Sequence, residues 1–331
     1  MASTSKQYYL GLDLLKILAA FTVVLIHSPN PHSVQSQEMA LRILPPPNAA
    51  FALMAGMLMG HLLKPDFDIG LWLKRRGSRL LVPYLIWTGI YVGTNLLFDH
   101  LRHVPPMPIT DWRWCLRILL TGGGGVQLWF VAMLIYAQLT VAGTWHSLRR
   151  NLAPVGFRVL AGGVGLLAAF GHKFLVPSSV PRLYFFLLGY LLLGLALSQL
   201  LHANWMRRRS GNILTFISLL LCIAIPLTIQ LPAELSQGLS LINPLLWVVF
   251  ACSLPRHLPG QRWIQPVAGC TMGIYLCHVL VTRSLLLACP VTERFLGAGG
   301  FPIYNALIAF AVSLGIVLAT RRVGVFWGQR I

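Results

Sequence analysis

Acidic side chains are nearly missing: Asp and Glu together number 8 in 331 residues, and Lys plus Arg add 26. Charged residues therefore make up 10% of the chain, against about 25% in a typical soluble domain. With a mean hydropathy of +0.71, this excludes an ordinary water-soluble protein. Cysteine is sparse as well. The six (Cys115, Cys222, Cys252, Cys270, Cys277 and Cys289) form no C-x-x-C pair and no zinc spacing, which excludes a disulfide scaffold and leaves reduced thiols, most of them within apolar runs. Intrinsic disorder and collagen are excluded by the apolar content.

What is there is apolar length. Hydrophobic residues make up 56% of the chain, or about 185 residues, and ten membrane helices of about 20 residues each would use about 200. Apolar runs fall at 10–28, 43–63, 80–98, 126–143, 158–175, 183–201, 212–231, 240–254, 267–289 and 302–320. The eighth is short and carries Pro244 near its start. Residues 1–9 are too polar for a cleavable signal and no small-residue cleavage site follows Leu10–His27, so this run reads as a retained first helix. The longest connection, 99–125, holds Pro105, Pro106, Pro108 and the Gly122–Gly125 run and reads as a structured or mobile loop.

A net charge of +18 would suit a nucleic-acid partner, but the basic residues lie in short clusters between apolar runs. Lipid headgroups and the positive-inside rule account for that pattern better. Counted in alternate loops, one side holds 17 Lys and Arg, including Lys64, Lys74–Arg76, Arg79 and Arg207–Arg209, and the other holds 8. The richer side is expected to be cytosolic. The sequence thus predicts an all-α, polytopic integral membrane protein. It is expected to be one transmembrane domain over residues 1–331, with about ten spans and both termini cytosolic.

Ionisable groups inside membrane helices are costly and mark candidate sites. The first helix holds three: Asp13, Lys16 and His27. Lys16 and His27 are eleven residues apart, about 20° past three full turns, so they share a face about 16 Å apart along the axis. Asp13 sits one turn below, in i,i+3 reach of Lys16. An interfacial ion pair with a snorkelling lysine explains those two equally well, and His27 alone fits an interfacial histidine. A second cluster, WLKRRGSRLLVPY at 72–84, places Arg76 and Arg79 three apart, so on an α-helix both project one way. Paired guanidiniums suit phosphate, although basic rims also arise from topology. In the third cluster, TMGIYLCH at 271–278, Tyr275 and His278 are i,i+3 neighbours within a span; a mid-membrane imidazole also serves for interhelical hydrogen bonding. QLWFVAM at 127–133 fits an outer aromatic belt, and the glycine run before it lacks the Lys-Ser/Thr of a phosphate loop.

Together these segments resemble the bacterial membrane acyltransferase family 3, integral-membrane O-acyltransferases that modify surface glycans. GLDLLKILAAFTVVLIHS resembles the family's opening motif with its basic-residue-x10-His spacing, met by Lys16 and His27. FALMAGMLMG is similar to the second-helix Phe/Gly motif, Arg76 and Arg79 match Arg-x-x-Arg, QLWFVAM matches Leu-Trp-Phe, and TMGIYLCH resembles the late Gly-x-Tyr-Leu-x-His motif. The motifs run in family order from residue 11 to 278. Three positions depart: Lys16 replaces the usual Arg, Ala55 a frequent Ser, and Gln127 a frequent His. No periplasmic esterase-like domain of the kind some relatives append is expected after the tenth run, which would leave acceptor handling to the membrane part.

The resemblance implies a bacterial cytoplasmic (inner) membrane enzyme, an O-acetyltransferase with acetyl-CoA as acyl donor, no metal, and a glycan or lipid-linked glycan as acceptor. Lys16, Arg76 and Arg79 would hold the CoA phosphates at the cytosolic edge. His27 would act as general base. Tyr275 and His278 would join it as catalytic residues lining the same interior, as acceptor or thioester contacts or as structural bonds, and Asp13 would orient Lys16. No carboxylate neighbours His27 in sequence; Glu38 is the nearest outer acid downstream. A ten-helix transporter or flippase of a lipid-linked sugar would share the spans, the basic rims and the intramembrane His and Asp.

Overall fold

The computed structural model describes residues 9–28, 35–101, 103, 105, 107–175, 179–202, 213, 216–221, 223–224, 233–254, 261–286, 289–320 and 322. All regular secondary structure among them is helical. The apolar first run forms α1, Leu10–His27, which ends where Ser28 turns to extended backbone. The second run is broken by Pro45–Pro47. A short helix α2, Gln35–Ile43, precedes the break, and α3, Pro47–Gly60, restarts with proline in its first turn, where a missing N–H costs nothing.

Asp68 caps α4, Ile69–Arg76, by accepting from the Leu71 N–H at 3.0 Å. The chain then passes through a single π-helical turn, Gly77–Leu81, directly into α5, Val82–Leu101. The long connection carries a helix of its own, α6, Trp112–Thr121, capped by Asp111 and terminated at Gly122 with φ +75°, a left-handed conformation that suits glycine. It is followed by α7, Leu128–Leu148, α8, Pro154–Leu175, and α9, Ser179–Ala196, which tightens into a 3-10 turn over Leu197–His202. After the helical stretch 216–221 come α10, Ala233–Ser253 with Pro244 inside it, α11, Gln261–Leu286, and α12, Cys289–Ala319.

Among the described residues seven helical stretches are long and apolar enough to cross a bilayer: α1, α2 with α3, α4 with α5, α7, α8, α9 and α11. The chain is a multi-pass, all-α membrane protein. The expected eighth and tenth spans coincide with the shorter apolar stretches Ile242–Ser253 and Ile303–Ala319 of α10 and α12. The expected seventh, 212–231, falls largely outside the described residues.

Helix α1 is the axle of the bundle, packed against α2, α3, α10, α11 and α12. Small residues set a close crossing of α3 and α9: Gly56 of α3 lies on the Leu191 carbonyl of α9, and Gly194 of α9 lies on the Leu53 carbonyl of α3. A Cβ at either position would collide with backbone, so the two helices approach as only glycine allows. At one end of the bundle the Trp145 indole donates to the Lys64 carbonyl at 3.2 Å and Arg149 Nη1 to the Phe67 carbonyl at 2.6 Å. The arginine-rich segments after α3 and α7 therefore share one face. At the far ends of α5 and α11, Arg283 Nη1 donates to Asn95 Oδ1 at 3.1 Å.

Candidate active site

The first-helix, second-helix, Leu-Trp-Phe and late Tyr-Leu-x-His segments, which run from residue 11 to residue 278, meet in one layer. At its centre the His27 ring, at the end of α1, lies 5.2 Å from the ring of His278 on α11, at an interplanar angle of 42°. Gln37 of α2 fixes that end of α1. Its Nε2 donates to the Leu25 carbonyl at 2.7 Å and to the Ser28 carbonyl at 3.2 Å, covering acceptors that a helix terminus leaves open. His27 is half-buried and His278 is fully buried.

His278 has a determined tautomer. Its Nδ1 lies 2.7 Å from the Tyr275 carbonyl oxygen and 3.2 Å from that of Ile274. A carbonyl only accepts, so Nδ1 carries the proton and Nε2 is left as a bare acceptor. That Nε2 is buried and has no hydrogen-bond partner among the described residues. The Tyr275 hydroxyl, by contrast, is committed: it donates to the Gln127 carbonyl at 2.6 Å, 148 residues away in sequence.

Helix α7 and the glycine run lock this layer. Gln127 Nε2 and the Tyr91 hydroxyl both donate to the Leu276 carbonyl, at 3.2 and 2.8 Å. Gly125 leaves room for the Tyr91 ring, which an added Cβ would approach to 2.9 Å. The glycines are thus packing devices for α5 against the start of α7. Phe51 of α3, Phe130 of α7 and Tyr275 form a mutual aromatic cluster with centroid spacings of 5.4 to 6.3 Å. The second-helix Phe/Gly, Leu-Trp-Phe and late Tyr-Leu-x-His segments therefore touch one another.

Of the three basic residues expected to hold CoA, only Arg76 borders a cavity among the described residues. Lys16 Nζ binds Asp13 Oδ1 at 2.7 Å, which is the i,i+3 contact anticipated from the sequence and the one ion pair among the described residues. Arg76 lines a cavity of about 310 Å³ between the α4–π-turn segment and α7, with Trp72, Gly77, Gln138 and Leu139 among the other walls. Neither Lys16 nor Arg79 borders it. The expectation that Arg76 and Arg79 share a face assumed a regular α-helix. Arg76 ends α4 and Arg79 lies within the π turn Gly77–Leu81, whose wider winding breaks the i,i+3 register: Arg76 is half-buried and Arg79 is exposed. The Glu38 side chain lies outside the described residues.

Four residues of this layout were not singled out by sequence reasoning: Gln37, Tyr91, Trp72 and Gln138. Gln138 is 3% exposed and its Oε1 is buried without a partner, as is Trp72 Nε1. A signal for Gln138 was present. It follows Gln127 by eleven residues on α7, the spacing that separates Lys16 from His27, which sets the cavity about 16 Å along α7 from the histidine layer.

No curated protein and no solved structure matches the chain. A family model described as an acyltransferase domain matches residues 9–322, a stretch that takes in α1, the cavity and the paired histidines alike. The chain belongs to membrane acyltransferase family 3 and is an acyltransferase.

Proposed function

We propose that the protein transfers an acyl group, acetyl in the first instance, from cytosolic acyl-CoA to a hydroxyl of a cell-surface glycan or its lipid-linked precursor. The observation that carries this reading is the half-buried His27 set against an imidazole with a bare nitrogen, about 16 Å from a cation-bearing cavity. The setting is the bacterial cytoplasmic membrane, with both termini cytosolic.

On this reading Arg76 binds CoA phosphate, and the cavity beside it receives the start of the pantetheine arm. A flexible thioester-bearing arm spans the distance to His27 along the interior face of α1. Lys16, held by Asp13, keeps a positive charge on the same face. His27 removes the proton of the acceptor hydroxyl as its oxygen attacks the thioester carbonyl carbon. The C–S bond then breaks, and the proton passes to the departing CoA sulfur. Products are the ester and free CoA. Imidazole suits this role because its ordinary pKa lies near working pH. Tyr275 supports the layer through its bond to Gln127.

Purified protein given radiolabelled acetyl-CoA and a hydroxylated glycan acceptor tests the proposal. Label in the glycan is expected. Absence of hydrolysis, transfer and acetyl-CoA binding would sink the enzyme reading and leave lipid-linked-sugar movement as the alternative.

A further inference from the structure

A histidine that serves as a general base usually has its second nitrogen held by a carboxylate. No such carboxylate is paired with His27 among the described residues, where the one ion pair is Lys16–Asp13. What faces His27 is another imidazole, 5.2 Å away between ring centres. Resting on the acyl-transfer reading above, we propose that His278 is a positioning residue for His27: its Nε2 accepts the N–H of one His27 ring nitrogen, leaving the other His27 nitrogen unprotonated toward the acceptor hydroxyl.

Three features of His278 suit it to this and not to direct contact with substrate. It is fully buried, while His27 is half-buried and lies on the accessible side. Its Nδ1–H is anchored to backbone of its own helix at 2.7 Å, so neither the ring plane nor the tautomer is free to change without losing a buried bond. The one polar atom left over, Nε2, is an acceptor without a donor, and His27 is a donor within ring contact. The neighbouring donors are committed elsewhere, Tyr275 to Gln127 and Tyr91 and Gln127 Nε2 to Leu276. The one neighbouring polar atom left over, Gln127 Oε1, can only accept and so cannot serve His278 Nε2.

This chain of bonds runs backbone carbonyl, His278, His27, hydroxyl. When His27 takes up the proton, the His278 nitrogen still accepts from it, so the imidazolium keeps a partner without a second full charge in the membrane interior. A neutral partner also avoids placing a carboxylate in low dielectric, where an isolated anion is strongly disfavoured.

The test compares three substitutions at one position in purified full-length protein. His278→Leu removes the acceptor. His278→Gln carries an amide oxygen to about the place of Nε2, whereas His278→Asn reaches only the place of Nδ1. The expected result for His278→Leu and His278→Asn is a fall in kcat of about 10- to 100-fold, with acetyl-CoA affinity and thermal midpoint unchanged. His278→Gln is expected to recover most of the rate. Retained kcat in His278→Leu overturns the proposal. So does a loss that His278→Gln fails to relieve, or one that tracks a fall in thermal midpoint, since either marks a packing role. If His278→Leu does not accumulate in membranes, the Gln and Asn variants make the same comparison. Wild-type protein that binds and transfers nothing would remove the parent reading together with this one.

Discussion

The histidine layer, built from α1, α2, α3, α5, α7 and α11, and the arginine cavity, built from α4, the π turn and α7, share only α7 and differ in how they are built. In the histidine layer several polar groups are tied to backbone on another segment, Tyr275 to Gln127, Tyr91 and Gln127 Nε2 to Leu276, and Gln37 to the end of α1, while His278 Nε2 and Gln127 Oε1 are buried without a partner among the described residues. The cavity is walled mostly by leucine and isoleucine side chains, and beside Arg76 its few polar atoms, Trp72 Nε1 and Gln138 Oε1, are buried without partners among the described residues. A reacting centre benefits from groups fixed in advance. A site for a long, flexible, polar ligand must leave donors and acceptors for it, and unsatisfied buried groups are tolerated where something comes to pair with them. On the proposed function, the cross-bonded layer would carry the chemistry and the cavity the donor recognition.

Substitutions can break that division, the largest effects coming first. His27→Ala is expected to lower kcat by about 10²- to 10⁴-fold, the range for loss of a general base, while membrane insertion and acetyl-CoA affinity stay intact. Weakened acetyl-CoA binding in this variant would erase the division of labour. Arg76→Ala should act oppositely, raising the apparent KM for acetyl-CoA about tenfold or more, in line with loss of a charge-assisted hydrogen bond, with kcat largely kept. Arg79→Ala is expected to change KM much less, because Arg79 is exposed and does not border the cavity. Equal effects of the two would show that the cavity is not where phosphate binds. Gln138→Leu should raise KM about threefold to tenfold, as for loss of one neutral hydrogen bond, without touching kcat. Tyr275→Phe is expected to lower thermal stability by about 1 kcal/mol and to leave most of the transfer rate. A collapse of kcat there would move Tyr275 from support to chemistry.

Much of this was legible in the chain, for physical reasons that differ by residue. The Lys16–His27 face and the Asp13–Lys16 contact follow from helical arithmetic alone, since both lie within one uninterrupted apolar helix. The pairing of His27 with His278 is a contact between α1 and α11, and periodicity within either helix is silent about it. The break between α2 and α3 was announced by Pro45–Pro47, but averaging over an apolar window ran across it. The π turn was invisible because one residue too many in a helix leaves no trace in composition. For that reason Arg76 and Arg79, equal in the sequence, are unequal in the structure. In the long connection the glycines and prolines are conspicuous, while α6 within it is short and carries Arg113 and Arg117, so its composition points to a loop where a helix stands.

The π turn also sets an azimuth. Helix α4 runs on into α5 through Gly77–Leu81, so the extra residue there fixes the angle at which Trp72 and Arg76 are presented relative to everything that follows. Removing one residue, Ser78 for example, would leave a plain α-helix and swing α4 by about 100° about the common axis. A different face of α4 would then meet α7. Which guanidinium turns inward is thus governed by chain length and not by side-chain identity, and a single insertion or deletion in this turn would alter donor recognition more than any conservative exchange of the arginines themselves.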